Sequence, residues 1–114
     1  MSVKLSTRQV GDVSVIDVSG RITLGEGSSA LRDTLRDMVS KGQKKILLNL
    51  GEVSYIDSSG IGELVSGFTT VANQGGQLKL LSLTKRVKDL LQITKLYTVF
   101  DVHDDEAGAV RSFA

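Results

Sequence analysis

The sequence predicts an α/β fold: a mixed, mostly parallel sheet of four to five strands in the order β-β-α-β-α-β-α-β-α, with helices packed on it. Short runs rich in branched aliphatic residues alternate with segments whose apolar residues recur at helical spacing. Strands that are joined through a helix must run parallel, because the helix forms the crossover connection that brings the chain back to the same end of the sheet. The 114 residues are predicted to form one domain, 1–114.

The first two strands are predicted as a hairpin over about 3–9 and 12–18. An alternating run is separated from a β-branched run by Gly11 and Asp12, which is a turn signal. Gly20 ends the second strand. Only the first strand is therefore expected to be antiparallel, at or near an edge of the sheet.

The first helix is predicted to follow a loop over 20–28, with Ser28 or Ser29 as its N-cap. Gly42 ends it, since glycine readily takes the conformation that closes a helix. The residues predicted to face the core are Leu31, Leu35, Met38 and Val39.

The rest of the chain is predicted as a buried strand over 46–50, a helix over 61–73, a strand over 77–83, a short helix capped by Thr84 and a last strand over 99–102. A final helix follows, with acids at 104–106 in its first turn. The side chains predicted to face the core are Ile61, Leu64, Val65, Phe68, Val71 and Ala72 of the long helix, Val87, Leu90 and Leu91 of the short one, and Ala107, Val110 and Phe113 of the last.

The carboxyl ends of the parallel strands meet at one edge of this sheet, where ligands and partners commonly bind. The loops expected there are 20–28, 51–60, 83–85 and 103–104. Asp57-Ser58-Ser59 should therefore lie beside the 23–28 loop, at the junction between a strand and a helix.

Composition excludes several classes of function. Lys and Arg number 14 and Asp and Glu 13, a net charge of +1, which gives no reason to expect binding to nucleic acid or to a membrane. There is no cysteine and one histidine, so no metal site and no cofactor are predicted. No apolar run reaches the roughly 18 residues of a membrane span, and the N-terminus does not resemble a signal peptide, so a cytoplasmic protein is expected.

The motifs of common enzymes are also missing. A nucleophile elbow needs Gly-x-Ser-x-Gly, but Ile56 and Asp57 stand two residues before the two serines. His103, the single histidine, is interpreted as a loop or strand-end residue. Gly25-Glu26-Gly27 and Gly60-Ile61-Gly62 lack the residues that complete a phosphate-binding loop. The sequence therefore predicts that the chain is not an enzyme.

Two interpretations remain for Asp57-Ser58-Ser59-Gly60. Asp and Ser are the residues expected at a helix N-cap, and capping alone could explain them. Alternatively, Ser58 accepts a phosphate, which adds about −1.5 to −2 charges. A helix N-terminus favours an anion by roughly 0.3–1 kcal/mol, although the adjacent Asp57 opposes it. Phosphorylation should then spare the fold and prevent a partner from covering Ser58, because an unpaired buried anion is costly.

The run from Val53 to Gly62, after the strand 46–50, resembles the signature of STAS domains and is most similar to that of the bacterial anti-sigma factor antagonists. Ser19-Gly20, Gly75-Gly76 and the stretch from Val87 to Thr94 extend the resemblance over nearly the whole chain. It implies transcription regulation by partner switching, as in stress responses. The unphosphorylated protein would bind an anti-sigma factor that is a serine kinase, and so release the sigma factor.

The resemblance also implies the roles of single residues. The kinase would phosphorylate the first serine of the motif, Ser58, with Ser59 as the next-best acceptor, and a metal-dependent serine phosphatase would reverse this. The chain would be a monomer or a weak dimer that binds neither nucleic acid nor membrane. The residues expected to bind the partner are Thr23, Leu24, Gly25, Asp57, Ser58, Ser59, Gly60 and Ile61.

The chain departs from the family in the loop after strand 2. Family members often carry an acid there, whereas this chain has Arg21-Ile22-Thr23-Leu24-Gly25, with its first acid at Glu26. This difference concerns which partner is bound. The alternative function is a STAS scaffold subunit of a larger signalling or transport assembly, which does not switch and in which Ser58 is only a cap.

Overall fold

The computed structural model describes residues 3–113, apart from the side chain of Glu26. Its sheet has the strand order β1-β2-β3-β4-β5, in which β1 and β2 are antiparallel and all other neighbours are parallel. The elements are β1 (Val3–Val10), β2 (Val13–Ile22), α1 (Glu26–Ser40), β3 (Lys45–Ile56), α2 (Ser58–Asn73), β4 (Gln77–Leu81), α3 (Lys85–Ile93), β5 (Val102–His103) and α4 (Glu106–Arg111). The predicted order of strands and helices is confirmed.

Strands β2 and β3 are longer than predicted, and 51–56 is strand rather than loop. The pairing of these strands shifts register between Asp17 and Ser19 and again between Gly20 and Arg21. Each shift inserts an extra residue into β3, so Val53 and Ile56 both return to the buried face. Strand β3 therefore carries the chain directly to Asp57, and β2 ends at Ile22, the partner of Ile56.

The main core lies between one face of the sheet and helices α1, α2 and α3. It includes Leu31, Leu35, Leu64, Val71 and Leu91, as predicted from the helical spacing. Ala72 was predicted in the same stripe but is exposed, because it lies at the edge of the face of α2 that meets the sheet. The opposite face of the sheet packs against α4 in a smaller cluster, which consists of Val13, Val15, Leu47, Leu81, Ala109 and Phe113.

Some element ends differ from the prediction. Gly25, not Ser28 or Ser29, is the N-cap residue of α1, with φ 97, a conformation that favours glycine. Strand β4 ends at Leu81 rather than at 83. The last strand was predicted over 99–102, but the residues that pair with β4 are Val102 and His103. Phe100 is buried in the core instead of continuing the strand.

One of the three residues predicted to face the core from the last helix, Ala107, is wrong. Ala107 is exposed, whereas Ala109 is fully buried. Phe113 is buried and Val110 packs against the smaller cluster, both as predicted. A helix of 6 residues gives too few turns for its buried face to be recognised from spacing.

No helix within residues 3–113 combines the length and the apolar character that crossing a membrane requires.

Candidate functional site

Asp57 fixes the start of α2. It has an extended backbone, and its Oδ1 accepts a hydrogen bond of 2.9 Å from the amide of Gly60, which is the usual geometry of an N-cap. Its own amide donates to the carbonyl of Ile22 over 3.3 Å. Its second oxygen, Oδ2, accepts a long contact of 3.4 Å from the amide of Leu24. One carboxylate thus joins the start of α2 to the loop that follows β2.

The loop formed by Thr23, Leu24 and Gly25 is held in place from both sides. The carbonyl of Thr23 accepts hydrogen bonds from the amide and the hydroxyl of Ser28, at 3.0 and 2.9 Å. Leu24 lies between this anchor and Asp57, and its side chain is 79% exposed. The prediction that Asp57-Ser58-Ser59 lies beside the 23–28 loop is confirmed, and the loop presents a large apolar side chain to solvent.

Ser58 is the first residue of α2, and its side chain is exposed. Because Asp57 supplies the cap, the hydroxyl of Ser58 is not needed for it. The interpretation in which Ser58 is the cap is therefore wrong: that role belongs to the residue before it. Ser59 is half-buried, so Ser58 is the more accessible of the two hydroxyls.

Gly60 and Ile61, which were predicted to bind the partner, are buried and are not exposed beside Ser58. A Cβ on Gly60 would lie 2.5 Å from the carbonyl oxygen of Ile22 and 2.6 Å from Cγ1 of Ile56. Ile61 is 3% exposed and belongs to the main core. Gly62, by contrast, has nothing within 4 Å of such a Cβ. Gly60 therefore allows α2 to begin in contact with the ends of β2 and β3, and Ile61 anchors the helix there.

An aromatic and cationic cluster borders the site and was not predicted. The guanidinium carbons of Arg21 and Arg86 lie 4.7 and 4.6 Å from the ring centre of Tyr55. Arg21 and Tyr55 are paired across β2 and β3, and Arg86 comes from the start of α3. No sequence signal links these positions, because the contact depends on the register of the sheet and on the placement of α3.

The surroundings of His103 do not form a catalytic triad. Its Nε2 lies 3.2 Å from Asp101 Oδ2 and 3.4 Å from Ser112 Oγ, whereas a triad uses the two different ring nitrogens. The ammonium of Lys79, 3.0 Å away, and His103 hold the pKa of Asp101 below its usual value. His103 ends β5, which confirms its interpretation as a strand-end residue. Among the side chains that the structure describes, which exclude that of Glu26, no group of three His, Cys, Asp or Glu could hold a metal ion.

Residues 4–109 match the STAS domain family. The chain belongs to this family. The anti-sigma-B factor antagonist of Bacillus subtilis is 31% identical over 111 residues, which cover 97% of this chain and 100% of that protein. The match thus spans nearly all of this STAS domain and the whole of an anti-sigma factor antagonist, and the resemblance to these antagonists is confirmed.

Solved structures show the same fold. An anti-sigma factor antagonist from Mycobacterium paratuberculosis superposes with a TM-score of 0.86 at 18% identity, covering 97% of this chain and 93% of that one. The Bacillus antagonist SpoIIAA, also 18% identical, superposes in its unphosphorylated form with a TM-score of 0.72, covering 96% of both chains. Its phosphorylated form gives 0.76, with 97% and 100% covered. The predicted fold class is confirmed.

The names of these relatives describe antagonists of another protein factor rather than catalysts. On this basis the prediction of a regulatory protein that is not an enzyme is confirmed.

Proposed function

We propose that this STAS domain is a partner-switching antagonist. Its unphosphorylated form binds an anti-sigma factor that is a serine kinase and so frees the sigma factor, and phosphorylation of Ser58 ends the complex. The observation that carries the proposal is the exposed hydroxyl of Ser58 at the first position of α2, where Asp57 alone supplies the cap. An exposed serine that does not supply the cap, at a helix start fixed by Asp57, is well placed for modification by a bound kinase.

Electrostatics supports a switch that acts on binding and not on folding. A phosphate on Ser58 would lie at the positive end of α2, which favours it by about 0.3–1 kcal/mol, while Asp57 repels it. These opposing effects are small, so the fold should persist. A partner that covers Ser58 would have to bury the dianion at a cost of several kcal/mol unless it supplied matching cations. SpoIIAA, whose phosphorylated and unphosphorylated forms both have this fold, is consistent with such behaviour.

The proposed partner surface combines the loop and the helix start. Thr23, Leu24 and Gly25 form one side, and Asp57, Ser58 and Ser59 form the other. Gly60 and Ile61 hold the surface in place from below. A metal-dependent serine phosphatase would restore the unphosphorylated state, and Ser59 is the second choice as acceptor. We place this cycle in the cytoplasm, with the chain as a monomer or weak dimer and with neither nucleic acid nor membrane as partner.

Phosphate mapping tests the proposal. Each serine-kinase anti-sigma factor encoded in the source genome is purified and incubated with the protein, ATP and Mg²⁺, and the product is digested for mass spectrometry. We expect one phosphate, on Ser58, in the wild-type protein and in Ser59→Ala, and none in Ser58→Ala. Phosphate at another residue, or none from a kinase that binds the protein, would refute the assignment. A stable complex that ATP and Ser58→Ala leave unchanged would favour the scaffold subunit instead.

A further inference from the structure

The cluster of Arg21, Tyr55 and Arg86 brings two positive charges to one aromatic ring. Both guanidiniums lie within 4.7 Å of the ring centre of Tyr55, and both arginines are exposed. Stacking on a π face holds each guanidinium in a defined orientation. The two side chains come from different elements, β2 and α3, so their meeting is a property of the fold and not of a local run of basic residues.

These charges are not neutralised among the side chains that the structure describes. The described ion pairs use Arg8, Arg32, Lys41, Lys45, Lys79, Lys85 and His103 as cations, and include neither Arg21 nor Arg86. Each guanidinium carries a full positive charge, and an anion that contacts it from the solvent side is attracted by both charges around the ring. A stacked guanidinium keeps its N–H groups available for a carboxylate, which it can bind with two parallel hydrogen bonds.

The cluster adjoins the proposed partner surface. Tyr55 is two residues before Asp57, and Arg21 precedes Ile22, whose carbonyl accepts the hydrogen bond of the Asp57 amide. Leu24, 79% exposed, follows on the same loop. A partner that covers Ser58 would therefore meet an exposed apolar side chain and two oriented cations together.

We propose that Arg21 and Arg86, oriented by Tyr55, form a docking site for carboxylate side chains of the protein that binds over Ser58. The site selects a partner whose contact surface carries Asp or Glu opposite the cluster, and it contributes affinity and choice of partner rather than the phosphate acceptor. The proposal rests on the proposed function for the identity of that partner as a kinase.

Charge reversal tests the site in the whole 114-residue chain. The probe is a kinase that phosphorylates Ser58, and the dissociation constant is measured by calorimetry at about 0.05 M and about 0.3 M NaCl. Arg21→Glu and Arg86→Glu should each weaken binding by about tenfold or more at the lower salt concentration, since close charge pairs at interfaces contribute at least this much. Arg36→Glu is the matched control: it is exposed on α1, roughly 15 Å along the helix from its start, and should change affinity by less than about twofold.

Substitutions of Tyr55 separate orientation from charge. Tyr55→Phe keeps the π face and should bind as the wild type does, whereas Tyr55→Leu should lose part of the affinity while both charges remain. Thermal melting of every variant checks whether the fold is retained. Tyr55→Phe and Tyr55→Leu with equally strong binding would show that the ring has no orienting role and would contradict the proposal.

An octaglutamate peptide tests the site without a kinase. In NMR titrations it should shift the side-chain N–H signals of Arg21 and Arg86, while octalysine should not. Equal shifts at Arg36 would overturn the proposal, as would reversal variants that bind the kinase like Arg36→Glu. The binding of the reversal variants to vesicles of phosphatidylserine in phosphatidylcholine is measured as well. Variants that lose binding to these vesicles but bind the kinase as the wild type does would also overturn the proposal. Failure of Ser58 phosphorylation in the wild type refutes the proposed function, whereas intact phosphorylation with unchanged affinity in the reversal variants refutes only the docking site.

Discussion

Gly60 and Gly62 provide a test of how tightly α2 begins against the sheet. In Gly60→Ala the new Cβ would lie 2.5 Å from the carbonyl oxygen of Ile22, where ordinary contacts begin at 3.4 Å, so the helix start must move away from β2 by about 0.9 Å. That carbonyl accepts the amide of Asp57 over 3.3 Å, and such a shift would break the bond.

The magnitude follows from three effects. Overpacking against backbone costs about 1–3 kcal/mol, and the lost hydrogen bond costs about 0.5–1.5 kcal/mol. The better helix propensity of alanine returns about 1 kcal/mol. Gly60→Ala should therefore lower the free energy of unfolding by about 2 kcal/mol. Gly62→Ala meets nothing within 4 Å and should raise it by about 0.5–1 kcal/mol.

Urea denaturation of the two variants and the wild type measures this difference directly, provided that the free energy of unfolding falls with urea concentration at the same slope in all three proteins. Gly62→Ala serves as the control for alanine on the same turn of the same helix. If Gly60→Ala proves as stable as Gly62→Ala, then the start of α2 does not touch β2 as described, and the positioning of Ser58 by this contact is refuted.

Three further predictions concern the cap, the loop and the network around Arg8. Asp57→Ala should lose about 1 kcal/mol of stability, as measured by urea denaturation, because the amide of Gly60 loses its acceptor, and Asp57→Asn should lose much less. Leu24→Ser should leave stability within about 0.5 kcal/mol, since the side chain is 79% exposed, but should weaken the binding of the kinase. Arg8 pairs with Asp17 and Glu106 at 2.6 Å and holds the pKa of both carboxyls below their usual values. The stabilisation by these ion pairs is complete above about pH 5 and is lost as the pH falls through the lowered pKa values. In an acid titration monitored by circular dichroism, the stability of Arg8→Met should therefore depend less steeply on pH than the stability of the wild type.

These predictions would be contradicted by plain outcomes. Asp57→Ala with wild-type stability would show that the cap is unimportant. Leu24→Ser with unchanged affinity would remove the loop from the partner surface. Identical acid profiles of Arg8→Met and the wild type would show that the ion pairs are too solvated to matter, as many exposed pairs are.

The sequence was sufficient for the order of the elements and for the position of the site. The apolar spacing of Leu64, Phe68 and Val71 depends on helical geometry alone, and all three pack in or against the core. The contact between Asp57 and the 23–28 loop could also be predicted from the sequence, because the carboxyl ends of parallel strands lie at the same edge of the sheet.

The remainder depended on contacts between distant parts of the chain. Gly51 interrupts the apolar run of β3, and only its pairing with β2, with two register shifts, shows that the strand continues to Ile56. The cap is Asp57 rather than Ser58 because α2 begins at Ser58, one residue earlier than a serine cap at that position would allow. The contact of Arg21 and Arg86 with Tyr55 joins three elements, and no local pattern encodes it.

The most direct test of the switch is the affinity of one kinase for the two forms of this protein. The wild type is phosphorylated on Ser58 to completion, and its dissociation constant and melting temperature are compared with those of the unphosphorylated protein. We expect affinity to fall by roughly a hundredfold or more, since burying the dianion costs several kcal/mol. The melting temperature should change by less than about 4 °C, the equivalent of 1 kcal/mol in a domain of this size. Equal affinities of the two forms would contradict the account, and so would a loss of affinity that arises because the phosphorylated protein unfolds.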